Sequence, residues 1–386
     1  MAAKIKLGLF YQNYENWAGG TYYLQNLLLA LCNLPADLQP EVHILSAKRA
    51  DFEEIKHLSN YPNLQYQNTV IALPLWKRAV NKLLRPFIKG NFFELRAALD
   101  VVFPLQGAEF MHYTELCKHR VFWIPDFQEK HLPQFFTQQE LAGRRDSRAW
   151  ICECMPFLVL SSEAAKADFQ QFYAQKAVCK VFVLPFAVTH NQVYKNLNIN
   201  HLREKFQLPE LYFFAPNQFW KHKNQQLILD ALLLLKKENI HAHVAFSGKE
   251  YDFRNPDYAQ NLKKFVQENG LENNCSFLGF IDRNEQLQLM RHARAVLQPS
   301  LFEGWSTVVE DAKAANQYVL ASNLAVHKEQ LEHNAEFFDP HNPQELADLM
   351  RKYITEKPMI KNVDYQQNIS AFAQNFIQIL TQITTK

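Results

Sequence analysis

Strand-like and helical segments alternate along the whole of this 386-residue chain, and few architectures accommodate that rhythm. Short runs rich in branched and aromatic residues, each followed by a longer stretch of helical periodicity, are the signature of strand-helix-strand units and parallel sheets. In the first half the pattern predicts strands over Lys4–Tyr11, Glu41–Ala47, Leu99–Leu105, Arg120–Asp126, Phe157–Ser161 and Lys180–Pro185. Helices are expected from Gly20, near Trp76, near Thr137 and from Ser162. The rhythm then restarts, with strands expected over Leu211–Pro216, His243–Ser247, Cys275–Phe280, Ala295–Gln298, Tyr318–Ser322 and Glu336–Asp339. The polar stretch Phe186–Asn200 between the two series marks the junction. The expected organisation is a first domain over 1–190, a second over 200–362, and a last amphipathic helix within 363–386 that packs back toward the first domain. Length agrees, because a chain this long exceeds one ordinary core.

Doubly wound sheets bind ligands outside the carboxyl ends of their strands, so chemistry is sought there. Of ten glycines, Gly19, Gly20, Gly248, Gly279 and Gly304 follow expected strands or open expected helices. Glycine at such a place admits close approach of a ligand to the backbone and to the free amides of a helix start, which suits phosphate. Each alone is equally plain turn chemistry; five at one edge point to a phosphate-bearing ligand. No G-x-G-x-x-G follows the first strand and no G-x-x-x-x-G-K-[ST] occurs, which argues against a dinucleotide oxidoreductase and a P-loop nucleotidase. Asp-x-Asp is absent too, so no bound metal or other cofactor is expected.

The stretch "SLFEGWSTVVEDAKA", Ser300–Ala314, sets Glu303 and Asp311 on either side of an expected helix start. With the helix opening near Gly304 or Trp305, the amides of Gly304, Trp305, Ser306 and Thr307 would face a diphosphate at the positive end of the dipole. Asp311 would lie roughly 10 Å further along the axis, a distance that matches a ribose. Its two carboxylate oxygens suit neighbouring hydroxyls. Glu303 is better placed against sugar hydroxyls or developing positive charge than against phosphate. The countercharge is sought in "NQFWKHKNQ", where Lys221 and Lys223 follow an expected strand.

Taken together, "NWAGGTYYLQNLLLAL", "NQFWKHKNQ", "VAFSGKE", "CSFLGFID" and "PSLFEGWSTVVEDAKA" resemble, in order and spacing, the retaining glycosyltransferases of family 4 and their Glu-x7-Glu motif. The resemblance covers most of the chain. It implies an α/β fold of the GT-B type, two facing Rossmann-like doubly wound domains with parallel sheets. It also implies transfer of a sugar from a nucleoside-diphosphate sugar to a saccharide or lipid-linked saccharide acceptor, in the assembly of surface glycans such as lipopolysaccharide, without a metal. Residue by residue, Glu303 would face the donor sugar and Lys223 would counter the leaving charge. Gly304, Trp305, Ser306 and Thr307 would offer amides, and Asp311 would hold the ribose. Backbone near Phe280 and Ile281 would read the base, with Gly248 beside it, and Gly19 and Gly20 would approach from the first domain. The chain departs from the family in three places. Asp311 replaces the usual Glu. Gln218 stands where a clamp arginine is usual, with Lys221 as a possible substitute. The usual His-Asp of the first domain reads Pro125-Asp126, so Asp126 and His131 are the candidates for orienting the acceptor.

The remaining composition narrows the partners. With 41 Lys and Arg against 39 Asp and Glu, the formal charge is only +2, and nucleic acid is not an expected partner. The six cysteines show no disulfide or zinc spacing, and the amino-terminal stretch lacks the apolar core of a signal peptide, so a cytoplasmic protein is expected. One segment, Trp76–Arg96, carries Lys77, Arg78, Lys82, Arg85, Lys89 and Arg96 against Glu94, interleaved with aromatic and aliphatic residues. It fits either an anionic membrane surface, with the protein peripheral on the inner face of the cell membrane, or a core helix with a solvated face. A nucleotide-sugar epimerase on the same fold and a catalytically degenerate donor-binding scaffold are the alternative functions.

Overall fold

A computed structural model of the chain describes residues 4–11, 18–68, 75–84, 99–107 and 117–385. Two parallel sheets organise it. The first contains β1 (Lys6–Phe10), β2 (Glu41–Ser46), β3 (Leu64–Asn68), β4 (Leu99–Leu105), β5 (Cys117–Ile124), β6 (Phe157–Leu160) and β7 (Lys180–Val183), in the spatial order β3-β2-β1-β4-β5-β6-β7. The second contains β8 (Phe213–Ala215), β9 (Val244–Phe246), β10 (Cys275–Phe277), β11 (Val296–Gln298), β12 (Val319–Ser322) and β13 (Ala335–Phe338), in the order β10-β9-β8-β11-β12-β13. Chain order therefore reverses between β1 and β4 in one sheet and between β8 and β11 in the other. At such a reversal neighbouring connections leave toward opposite faces and open a crevice at the strands' carboxyl ends.

Among the elements not foreseen are a helix and a strand early in the first half. Helix Arg49–Ser59 and the edge strand β3 follow Ala47; β3 reads Leu-Gln-Tyr-Gln-Asn and is half exposed, so its apolar content is too low to mark a strand. Most expected strands are present but shorter, and the one expected over Arg120–Asp126 runs over Cys117–Ile124 instead. The helix expected near Thr137 spans Gln138–Cys154, with Thr137 as its cap in a reciprocal pairing with Glu140. Ser162 likewise caps helix Glu163–Phe172.

One face of the first sheet is covered by helix Ala18–Cys32 and by the last helix, Gln366–Thr384. The last helix buries Ile369, Phe372, Ala373, Phe376, Ile379, Leu380 and Ile383, a spacing of three and four that puts them all on one stripe. Each large member of that stripe contributes about 1.5–3 kcal/mol through removal of apolar surface from water. They pack with Tyr23, Leu27, Phe103 and Trp123, so the carboxyl-terminal end of the sequence completes the core of the first sheet. The crossover is tied down at Tyr365, whose hydroxyl donates to Glu310 and accepts from the amide of Val188 at 3.1 Å.

The junction is not a loose tether. Phe186, Ala187, Val188 and Tyr194 are buried, and the amide of Thr189 donates to Asn26 at 2.6 Å. It is held by both halves of the molecule, through Asn26 on one side and through the His190 side chain to Asp311 on the other, which is why its sequence looks weakly periodic and hydrophilic.

Candidate functional site

The cleft lies where the two reversal points face each other. On the second sheet, the segment after β8 carries Asn217 and Gln218 and winds into a 3-10 turn, Lys221–Lys223. Asn224 closes that turn in the left-handed conformation, φ 59°, and its side chain donates to the carbonyls of Pro299 and Pro340 at 3.1 and 2.9 Å. This anchors Lys223 beside the end of β11. Its ammonium lies 2.6 Å from Glu303 Oε1, and the same oxygen accepts from Gln298 Nε2 and from Ser300 Oγ, each at 2.7 Å. Burial alone would raise the Glu303 pKa, but the Lys223 charge outweighs it and holds the carboxyl below its ordinary value. Glu303 is therefore a buried carboxylate, with three donors converging on one oxygen.

Gln298, fully buried, is the hub beneath this pair. It accepts from Asn217 Nδ2 at 2.9 Å and donates toward Ser300, Glu303 and Ser306. His222 is buried against the same turn, and burial first, then the Lys223 charge, pushes its pKa down to about 3. It is neutral at physiological pH.

The helix after Glu303 begins at Thr307, with Ser306 as its cap, rather than at Gly304 or Trp305. This changes two expectations. The amide of Ser306 donates to Gln330 at 3.0 Å and is not offered to the cleft. Asp311, now the fifth helical residue, lies only about 6 Å along the axis from the first. Asp311 is fully buried; its Oδ1 accepts from His190 Nε2 at 2.9 Å and pairs with the Arg283 guanidinium. Burial pushes its pKa up, but Arg283 and then His190 overcome that, so Asp311 stays charged. Its Oδ2 is buried and has no hydrogen-bond partner among the described residues. An unpartnered carboxylate oxygen in a cleft is an acceptor awaiting a donor. His190 and Arg283 were not singled out in the sequence, because one sits in the junction and the other on a helix start 28 residues before Asp311.

The first domain supplies the opposite wall with Gly19, Tyr22, Tyr23, Trp123, Pro125, Asp126, Gln128 and Ser161. The Asp126 carbonyl accepts from Arg148 at 2.8 Å, and Arg148 itself pairs with buried Glu129 at 3.1 Å, which fixes the loop after β5. The walls meet at Gly304. A β-carbon there would lie 2.4 Å from the Pro125 carbonyl oxygen and 2.7 Å from Asp126 Cβ, so only glycine permits this approach. Around the cleft, Arg254 pairs with Glu140 at 3.0 Å and Glu329 caps helix Glu163–Phe172 through two amides at 2.8 and 3.1 Å.

Among the residues expected from sequence, the cleft, of about 230 Å³, brings together Gly19, Asp126, Gln218, Lys223, Gly248, Phe280, Glu303, Gly304, Trp305, Ser306, Thr307 and Asp311. Gly20, Lys221, Ile281 and His131 are not among its lining residues. Gly20 is buried in its helix. Ile281 is packed in the core behind the second sheet. Lys221 extends to the Phe135 ring, 5.6 Å away. His131 pairs with Asp168 at 2.8 Å and stacks on Phe302 at 5.1 Å between the domains. Phe280 is 76% exposed at the rim, a ring face open to a planar partner. Among the described residues no group of three or more His, Cys, Asp and Glu side chains is placed to hold a metal ion. A second cavity, of about 330 Å³, lies behind the first, between the junction and the last helix. Its Glu310, Asn316, Gln317, Gln330 and Asn334 bond to other groups of the chain.

Two facing Rossmann-like domains with a polar cleft between their carboxyl edges define the GT-B architecture. The chain superimposes on the Anabaena protein Alr3699/HepE, solved with UDP and glucose, with a TM-score of 0.62 at 17% identity, over 99% of this chain and 97% of that one. Residues 199–374 match the family model described as Glycosyl transferases group 1. Among curated proteins, the capsular polysaccharide biosynthesis glycosyltransferase CapH of Staphylococcus aureus is 29% identical over 45% of this chain and 48% of its own length. The O-antigen chain mannosyltransferase RfbU of Salmonella typhimurium is 28% identical over 38% of this chain and 39% of its own. The chain thus spans about half the length, or less, of these relatives.

Proposed function

We propose that the protein is a retaining, family 4-like glycosyltransferase. It moves a sugar from a nucleoside-diphosphate sugar to a saccharide or lipid-linked saccharide acceptor in surface-glycan biosynthesis. One observation carries this reading: at the reversal point of the second sheet, a lysine-neutralised carboxylate, a helix start and a buried carboxylate with one unpartnered oxygen follow one another along a single cleft wall. That series matches sugar, diphosphate and ribose in order. The relatives named for capsule and O-antigen assembly, and a structural neighbour solved with UDP and glucose, support it.

In this reading the donor's diphosphate lies at the amides of Gly304, Trp305 and Thr307, and Asp311 Oδ2 accepts from a ribose hydroxyl. Lys223 stands between Glu303 and the leaving phosphate. As the glycosidic bond breaks, negative charge grows on the diphosphate and positive charge on the sugar ring, and the Lys223–Glu303 pair opposes both. Positioning and electrostatics then supply the rate, with the departing phosphate taking the acceptor's proton. Asp126, on the facing wall, orients the acceptor. No metal is required in this scheme.

Membrane contact belongs to the same proposal. Helix Leu75–Leu84 exposes Trp76, Lys82 and Leu83, while residues 85–96 of the basic segment lie outside the described residues. No helix among the described residues is long and apolar enough to cross a membrane. A cytoplasmic protein peripheral on the inner face of the membrane would co-sediment with anionic vesicles at low salt and be released by high salt.

The direct test is thermal melting with UDP, GDP, ADP, CDP and TDP, with and without EDTA, followed by product analysis of the matching nucleotide sugars. A single nucleotide that raises Tm regardless of EDTA, and a product that keeps the donor's anomeric configuration, are expected. Loss of the shift with EDTA, or an inverted product, overturns the metal-independent or retaining part respectively.

A further inference from the structure

We infer that the Tyr23 hydroxyl binds a hydroxyl of the saccharide acceptor, so that the first domain selects the sugar that receives the transfer. The inference rests on the transfer reading above and adds a recognition group that the nucleotide-sugar donor does not need.

Tyr23 lies in helix Ala18–Cys32 and is clamped by four rings. Trp123 is stacked on it at 4.3 Å with 16° between the planes, and Phe186, Phe372 and Phe103 pack around it at 5.6, 5.9 and 6.1 Å. It is fully buried, yet it lines the cleft, and its hydroxyl has no hydrogen-bond partner among the described residues. Elsewhere the chain satisfies such groups: the Tyr61 hydroxyl donates to the Pro40 carbonyl at 2.9 Å and that of Tyr212 to the Leu289 carbonyl at 2.7 Å. Leaving a buried hydroxyl unpaired costs stability, and phenylalanine would make the same ring contacts without that cost. The partner is therefore a group that enters the cleft. Burial holds the phenol well above its ordinary pKa, so the oxygen keeps its proton and can both donate and accept, as a sugar hydroxyl requires.

The surroundings favour a neutral sugar over phosphate. Trp123 Nε1 donates to Ser161 Oγ at 3.0 Å, and Ser161, buried just past β6, lines the same wall as Asp126, just past β5. Hydroxyls and a carboxylate beside aromatic rings, at the carboxyl edge of the first sheet, suit the hydroxyls and the apolar face of a saccharide. No lysine or arginine among the described residues of the first domain lines the cleft. In the proposed donor pose, sugar and diphosphate lie on the opposite wall, at Glu303 and the helix start. The sugar that meets Tyr23 is then the acceptor.

The test uses the full chain as wild type and Tyr23→Phe, with the Tm of each as a folding control. Both are titrated with UDP, GDP, ADP, CDP and TDP, and transfer is measured from the matching nucleotide sugars to the methyl glycosides of glucose, galactose, mannose and N-acetylglucosamine. Tyr23→Phe is expected to melt no lower than wild type, to bind the nucleotide within about twofold of it, and to raise KM for the preferred glycoside about tenfold, the scale of one hydrogen bond. Among monodeoxy derivatives of that glycoside, one should be as poor for wild type as for Tyr23→Phe, because removing the second partner of a paired contact costs nothing further. A folded Tyr23→Phe variant with the wild-type KM for the glycoside overturns the inference and leaves the transfer reading standing. Weaker nucleotide binding by the variant overturns it too, by moving the hydroxyl to the donor. Wild type that binds a nucleotide but transfers to none of the glycosides overturns recognition of a sugar by this wall. Binding of none of the five nucleotides overturns the transfer reading with it.

Discussion

Gly304 offers the sharpest test of how the cleft works. Replacing it by alanine introduces one β-carbon, which in the present geometry would stand 2.4 Å from the Pro125 carbonyl oxygen, where ordinary contact begins near 3.4 Å. The clashing atoms include backbone of the opposite domain, held by Arg148 through the Asp126 carbonyl, and so do not swing aside as a side chain would. The walls must separate by about 1 Å at this point, the difference between those distances. Each domain keeps its own core, so melting should fall by no more than a few degrees. Nucleotide affinity, which in this reading comes mainly from the second domain, should change less than about threefold. Transfer requires donor and acceptor groups from both walls in register, and a displacement of this size costs on the order of a hundredfold in kcat/KM. The assay is nucleotide release from the cognate sugar nucleotide, run beside nucleotide titration. A folded Gly304→Ala variant that turns over at the wild-type rate would show that the Pro125–Gly304 contact is not part of the reacting state.

Glu303→Gln keeps a side chain able to accept from Ser300 and Gln298 but releases Lys223; nucleoside diphosphate should bind as well as in wild type or better, while turnover drops roughly a hundredfold or more, measured by the same pair of assays. Asp311→Ala leaves Arg283 partly buried without its carboxylate, a loss of about 3–5 kcal/mol that should lower Tm by roughly 10 °C and abolish the nucleotide-induced shift. Combining it with Arg283→Met should recover much of the Tm but not the shift. The pH profile carries its own sign. His222 has a folded pKa of about 3 against an ordinary value of 6.5, so the unfolded chain takes up the proton first. The stability it contributes is whole above pH 6.5 and is lost on acidification at up to about 1.4 kcal/mol per pH unit until the folded pKa is reached. His222→Gln should therefore flatten the dependence of Tm on pH between 6 and 4, as measured by calorimetry.

Much of this was legible in the sequence because the signals were local. Buried parallel strands such as Val296–Gln298 and Val319–Ser322 announce themselves as apolar runs, and Glu303, Gly304 and Asp311 lie within one short stretch. What escaped was either weakly apolar or fixed by distant pairing. Edge strand β3 needs little burial and so has little pattern. Gln298 reads as one more residue of a strand until Asn217, Ser300, Glu303 and Ser306 are seen around it. His190 reaches Asp311 across 121 positions, and no spacing rule covers such a separation. The helix start was misplaced because a helix opens where its cap is satisfied, and here Ser306, with Gln330 holding its amide, outcompetes Gly304. Lys221 and His131 have suitable chemistry beside the cleft, but Phe135 in one case and Asp168 with Phe302 in the other draw them away.

The last helix has a consequence for synthesis. Strand β7 ends at Val183, yet the core of its sheet is closed by Phe372, Phe376 and Ile383, about 200 residues later. At roughly 5–20 residues per second, a ribosome would need about 10–40 s to deliver that closing stripe. During this interval the first half of the nascent chain carries an uncovered apolar face beside helix Ala18–Cys32, while the second sheet already has its own buried core. The order of maturation is then the reverse of the order of translation, and the amino-terminal half becomes a substrate for chaperones until the carboxyl-terminal helix arrives.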